Sequence, residues 1–322
     1  MKKKWLLIAI LLLLLLIILL RFDGREVVRS ITQMPLWLVL LLFGLQIVSQ
    51  LLVNFQWYKM AQMTHITISF WDMFEINSQG SMIDSITPGV KIGGEVTRAI
   101  QISRMSHHSG EHSAAVVALQ KIFSISALFI FLLISLGYLI GEVPWFSSSS
   151  IQVVVYGVLL LYLALFGGLF FVPEKLKAVL EKKQESHFLW LVKIKHFLLI
   201  LLAHMAKIRE NKRAGMMLVC LSLFIWFLYP FKMYLLVLPF YPEANVLQIA
   251  AITFAAYLVA MLPIFPGGLG GFEGVMSGLL ISMGLTLSDA AVITIFFRFV
   301  TFWFVMLVSF IFVTFRKLGK NG

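Results

Sequence analysis

The chain has 322 residues, 60% of them hydrophobic and 13% charged, with a formal net charge of +11 and a mean hydropathy of +0.95. A soluble domain is about half apolar and about a quarter charged, so this composition excludes an ordinary globular enzyme and points to a polytopic membrane protein. The lone Cys220 excludes a disulfide framework, and the basic residues gather beside hydrophobic runs, which fits an anionic membrane surface and not nucleic acid.

The first element is MKKKWLLIAILLLLLLIILLRFDG, a basic start followed by an apolar run with no small-x-small cleavage site before Arg21. We read it as an uncleaved anchor with Lys2, Lys3 and Lys4 on the cytoplasmic side. Apolar runs long enough to cross a bilayer lie at 5–20, 35–53, 114–140, 151–172, 215–240, 246–265 and 290–315, with 272–287 a marginal eighth. Backbone groups in lipid must pair within their own segment, and no alternating strand pattern suggests a barrel, so these runs are helices. The expected fold is an all-α polytopic membrane protein of about eight spans, one domain over 1–322. A first motif half would cover about 35–172, a basic loop 173–213 and a second motif half about 214–316.

Loop charge sets the orientation. Residues 141–150 and 241–245 contain no Lys or Arg and should face outward. The stretch 173–213 carries Lys175, Lys177, Lys182, Lys183, Lys207, Arg209, Lys212 and Arg213 and should face inward. The expected location is a cell membrane with both termini cytoplasmic, which requires 272–287 to cross. Within the basic stretch, Lys193, His196, His204 and Lys207 share one helical stripe among Trp190, Phe197 and Leu201. That pattern fits either an interfacial helix on the inner leaflet or a short buried helix.

FPGGLGGFEG (265–274) interrupts two apolar runs, and a related pattern occurs in TPGVKIGGEVTRA (87–99). Pro88 aligns with Pro266, Gly89 with Gly267, Gly93 with Gly271 and Glu95 with Glu273; Gly94, Gly268 and Gly270 add to the glycine content. A basic residue inside an apolar span follows each, Lys121 at an offset of 33 from its proline and Arg298 at 32. Proline ends helices and glycine permits turns that other residues resist. Irregular backbone at membrane depth is tolerated only where it is buried in protein or lines a wet cavity. Broken segments at corresponding positions of two halves point to a transporter's binding region. The alternative is a pair of cytoplasmic turns with capping glutamates. An eight-span topology puts both motifs on the cytoplasmic side, whereas an inverted repeat opposes them.

Lys121, Lys232 and Arg298 are embedded in apolar sequence, at about 2.5–3.5 kcal/mol each for a mid-helix cation. Glu95 and Glu273 are natural partners, with the pairing left open, and Lys232, beside Pro230, can snorkel. HSGEH (108–112) fits the H-x-x-E-H zinc pattern, but Ser109 and Gly110 are poor helix formers. We read it as a polar junction, and we expect no metal, no cofactor and no catalytic residue.

These motifs resemble the flippase-like family that includes the membrane part of lysylphosphatidylglycerol synthase, the bacterial multiple peptide resistance factor. The likeness rests on PGVKIGGEVTRAIQISR (88–104), AAVVALQKIFSI (114–125) and FPGGLGGFEGVMSGLLISMGLTLSDAAVITIFFRFVTFW (265–303). Pro266, Gly267, Gly268, Gly270, Glu273, Arg298 and Thr301 match the second family motif, and Gly93, Gly94, Glu95 and Arg98 the first. At Lys121 the family more often has Arg.

The resemblance implies translocation of an anionic or headgroup-modified phospholipid, or of a polyprenyl-linked lipid, with Glu95, Arg98, Lys121, Glu273 and Arg298 at the site. Membrane phospholipids would be the partners, and a separate lipid-modifying enzyme a further one. Only a few residues follow Phe315, so we expect no lysyl-transferring domain. The alternatives are a phosphatidylglycerol lysyltransferase-type membrane protein and a non-catalytic subunit supporting a separate lipid- or glycan-modifying enzyme.

Overall fold

A computed structural model describes residues 24–87, 92–142, 148–182, 188–261 and 266–321. The expected first span at 5–20, and Pro88 and Gly89 of the first motif, lie outside these. The described residues are helical, with no strand among them, as lipid-embedded backbone requires. In chain order the helices are α1 (Gly24–Thr32), α2 (Leu36–Met63), α3 (Phe70–Ile86), α4 (Ile92–Ser106), α5 (Gly110–Glu142), α6 (Ser149–Phe171) and α7 (Pro173–Lys182). They continue with α8 (Leu189–Glu210), α9 (Lys212–Val237), α10 (Val246–Ala260), α11 (Gly271–Ser282), α12 (Leu287–Arg298) and α13 (Phe304–Asn321). A π-helical turn, Phe299–Trp303, makes α12 and α13 one long rod.

Local sequence sets the helix starts. Ser69 caps α3 by accepting from Asp72 N, Thr286 caps α12 by accepting from Asp289 N, and Asn245 caps α10 by accepting from Leu247 N. Asp72 and Asp289 also stand in the first turn, where the helix dipole favours negative charge.

Among the described residues five segments are long and apolar enough to cross: α2, α5, α6, α9 and the α12–α13 rod. The count of eight spans is not confirmed, because the two runs that flank the second motif form shorter apolar helices. Helix α10 has 15 residues and α11 has 12, about 22 and 18 Å at 1.5 Å per residue, short of a hydrocarbon core of about 30 Å. They form a hairpin, folding back at the Pro/Gly break. Helices α3 and α4, with 17 and 15 residues, make a second hairpin around the first motif.

Contacts fix the side from which each hairpin enters. Leu38 and Leu42 at the start of α2 pack with Met233, Leu236 and Val237 at the end of α9, and with α10, α11 and α12. Trp57, Met60 and Ala61 at the other end of α2 pack with Leu218 at the start of α9, and with Met73, Ile102 and Val116 of α3, α4 and α5. The two hairpins therefore belong to opposite ends of the bundle. The α12–α13 rod agrees: Asp289 near its start bonds Ser30 of α1 at 2.6 Å, and Arg316 near its end bonds Asp72 of α3 at 2.7 Å. A third cluster, Leu128, Leu132, Leu159, Ala251 and Phe254, ties α5 and α6 to α10.

This arrangement keeps the C-terminal end of the rod on the side of the basic stretch without requiring 272–287 to cross. Helix α8 lies across that side. Its His196 Nδ1 stands 2.6 Å from Glu111 Oε2 at the start of α5. Its Arg209 donates to the Phe171 carbonyl that ends α6 at 2.7 Å and to Glu174 of α7 at 2.6 Å. The predicted polar stripe is divided: Lys193, His196 and Lys207 are exposed, while His204 is buried beside Leu201, Leu202, Met205 and Ile208.

Candidate functional site: two hairpin tips and their ion pairs

The hairpins enter from opposite ends and their tips meet. In the second hairpin the break is a tight turn, Pro266–Gly268, in which Gly267 has φ +59° and Gly268 φ +74°. L-residues resist this left-handed region, so the sequence spends glycine there. A Cβ on Gly267 would stand 3.2 Å from the backbone carbonyl oxygen of Ser85, near the end of α3. That approach joins the second tip to the first.

At the second tip α11 opens with Gly270, at φ +84°, and Gly271 begins the helix. Glu273 lies in the first turn; its Oε2 accepts from Gly270 N at 2.7 Å, satisfying one of the N–H groups that every helix start leaves open. Its Oε1 accepts from Arg298 Nε at 2.8 Å, and Arg298 Nη2 donates to the Gly267 carbonyl at 2.8 Å. One guanidinium thereby holds both the carboxylate and the turn, which a planar fork can do and a point charge cannot. Phe272 and Phe302 cover it, their ring centroids 4.8 and 4.5 Å from Cζ. Arg298 is 7% exposed and Glu273 27%.

At the first tip Glu95 of α4 pairs with Lys121 of α5, each side chain about one-quarter exposed. Lys121 is eleven residues beyond the start of α5, and Arg298 is eleven beyond the start of α12. Both cations therefore sit about 16 Å along helices that begin at opposite ends, which places both pairs near mid-depth.

A further carboxylate, Asp84 on α3, escapes the sequence reading. Its Oδ1 accepts from Gly94 N at 3.0 Å and its Oδ2 from Arg98 Nη1 at 3.0 Å. Both partners are largely buried, and Arg98 also reaches Ser81 Oγ at 3.3 Å. Asp84 lies four residues before Pro88 on the other limb of the hairpin, so the only available signal was an acidic residue in an otherwise uncharged helix end. Gly93 faces Thr87, and Gly94 sits where a Cβ would meet the Gly80 carbonyl at 2.3 Å. These glycines permit close approach of α3 and α4.

Lys232 does not snorkel. Fully buried on α9, it donates to Gln46 Oε1 at 2.5 Å and Ser49 Oγ at 3.1 Å on α2, under the Tyr229 ring. Those α2 acceptors give its ammonium interior partners of its own. At 108–112 the zinc pattern is dispersed. His108 precedes the helix, Glu111 faces His196, and His112 Nδ1 bonds Ser109 Oγ at 2.8 Å. No group of three or more potential metal ligands occurs among the described residues.

The arrangement can bind and exchange charge: two carboxylate–cation pairs, partly accessible, at the junction of two broken hairpins. Against known families, the model for the lysylphosphatidylglycerol synthase TM region matches residues 5–309. The chain belongs to that family. It is 25% identical to a UPF0104 membrane protein of Pyrococcus horikoshii, over 94% of this chain and 93% of that one. It is 24% identical to a UPF0104 membrane protein of Methanothermobacter thermautotrophicus, over 83% and 82% of the two chains. A UPF0104 membrane protein of Methanocaldococcus jannaschii is 23% identical over 82% of this chain and 80% of its own.

Proposed function

We propose that this chain moves a lipid between membrane leaflets, passing its headgroup through the junction of the two hairpin tips. The observation that carries this reading is the inverted pair of re-entrant hairpins whose tips meet at mid-depth, each bearing a glutamate–cation pair. Discontinuous helices related by inversion, with polar groups near the midplane, are how secondary transporters build a site that opens to either side. The substrate class is a phosphate-bearing lipid, either an anionic or headgroup-modified phospholipid or a polyprenyl-linked lipid.

The chemistry is partner exchange. A headgroup phosphate entering the junction takes the place of a carboxylate against Lys121 or Arg298, and Glu95 or Glu273 is released to water or to a proton. Because both cations already have carboxylates, the empty site does not hold unpaired charge in a low-dielectric interior. Arg98, tied to Asp84 and largely buried, holds the first hairpin closed and orients its tip. The cell membrane, with the basic side cytoplasmic, is the proposed location.

Leaflet exchange of labelled phospholipids in liposomes tests the reading, with wild type beside Glu273→Gln. Exchange by wild type and a loss of tenfold or more in the variant is the expected result. No exchange by correctly folded wild type across a broad lipid panel would turn the reading towards a partner-dependent membrane subunit.

A further inference from the structure

Outside the ion-pair site, the polar residues of the basic side converge on one buried side chain. His204 of α8 is 6% exposed, and among the described residues neither ring nitrogen has a hydrogen-bond partner. Buried polar groups are nearly always paired, so an imidazole with both nitrogens free calls for an explanation. Among the described residues no carboxylate acts on it. The His112 ring of α5 lies 5.7 Å away, centroid to centroid, and that of His108 is 6.5 Å beyond. The charged or titratable groups acting on His204 are His112, Lys207, His65 and His108. The carboxylates of the surrounding helices are engaged elsewhere, Glu111 with His196 and Glu174 with Arg209.

The turns that bring these residues together are strained. Among the described residues only His65 and His107 are non-glycine residues with positive φ, at +62° and +57°. Both lie in the short connections that carry His65 and His108 to this cluster. Left-handed side-chain-bearing residues persist where surrounding packing imposes them, and they concentrate at switch regions.

We propose that α8 is a pH-sensitive latch across the ends of α5 and α6: it is closed while His204 is neutral, and protonation of His204 against His112, His65, His108 and Lys207 releases it. Burial, followed by the neighbouring basic groups, pushes the His204 pKa from the ordinary 6.5 down to about 4. The sign follows from linkage. A histidine whose pKa is depressed in the closed form stabilises that form fully above about pH 6.5, and the contribution is lost as pH falls towards about 4. One contact opposes release, the pair between His196 of α8 and Glu111 of α5. That pair is about half exposed, where ion pairs are worth little. The latch bears on α5, the helix that carries Lys121.

The test is the distance between spin labels at Lys193→Cys on α8 and Met216→Cys on α9, in a Cys220→Ser background, with the full chain in liposomes. Between pH 8 and pH 5 the closed-to-open ratio should fall about tenfold or more. His204→Leu, which cannot be protonated, should remain closed at pH 5, and His112→Leu should lower the pH of opening. Should His204→Leu disturb folding, His204→Gln provides the same neutral side chain with polar atoms. A wild-type distance distribution unchanged from pH 8 to pH 4, or His204→Leu and His204→Gln opening as the wild type does, overturns the latch.

Discussion

The two hairpins share a residue pattern and use it differently. In the second, glycines at 267, 268 and 270 take positive φ and make a sharp turn possible. In the first, Gly94 is helical and needed for closeness, its Cα facing the Gly80 carbonyl across the hairpin. The acidic work is also divided differently. Glu273 alone caps its helix start and pairs with its cation. In the first hairpin Asp84 accepts from the helix start and from Arg98, leaving Glu95 to pair with Lys121. A repeated sequence motif thus preserves what the tip must present, a carboxylate beside a cation at mid-depth, while the scaffold that presents it diverges.

The largest expected effect comes from removing the better-built pair. Arg298→Leu takes away the fork that holds Glu273 and the Gly267 carbonyl between two aromatic rings. Glu273, left behind, is 27% exposed, so the loss lies chiefly in the charged bond to the Gly267 carbonyl and the covered guanidinium, about 2–3 kcal/mol. Lys121→Leu should cost less, about 1–2 kcal/mol, because both members of its pair reach solvent. Thermal unfolding in detergent ranks the two variants, and equal losses would mean that the half-buried pair is as structural as the covered one.

Glycine substitution separates the two scaffolds at the next level. Gly94→Ala places a Cβ 2.3 Å from a backbone oxygen and from the Asp84 carboxylate, so α3 and α4 must separate. Overpacking of this kind costs about 1–3 kcal/mol, and here the upper end applies because backbone cannot rotate away. Gly267→Ala meets its nearest atoms at 3.2 Å and pays chiefly for φ +59°, about 1–2 kcal/mol. The distance between spin labels at Trp71→Cys on α3 and Ile100→Cys on α4, both exposed, would report the separation of α3 from α4. It should change in Gly94→Ala and not in Gly267→Ala.

The helical class was legible because 60% apolar content and uninterrupted runs leave backbone in lipid no other way to satisfy itself. The embedded charges were legible too, since Lys121 and Arg298 interrupt apolar sequence and each follows a glutamate by about one helix. Hairpin geometry was not. The run at 246–265 reads as a full span and that at 272–287 as a marginal one, and only the lengths of α10 and α11 with their contacts show that the chain turns back at the glycines. Asp84 and the buried state of His204 depend on which face of a helix meets its neighbour. A single sequence carries that information weakly when nearly every face is apolar.

Exchanging the two cations gives the smallest and most discriminating change. Lys121→Arg keeps the charge opposite Glu95, and the partly open setting leaves room for the fork, so stability should move by no more than about 0.5 kcal/mol. Arg298→Lys keeps the charge opposite Glu273 but loses the second donor on the Gly267 carbonyl and the planar face against Phe272 and Phe302, at about 1–2 kcal/mol. Thermal unfolding measures both. If Arg298→Lys proves as mild as Lys121→Arg, the carbonyl contact does not hold the turn, and the left-handed glycines alone set the shape of the second tip. If it is costly while Lys121→Arg is not, the arginine at 298 is chosen for its geometry and the lysine at 121 for its charge.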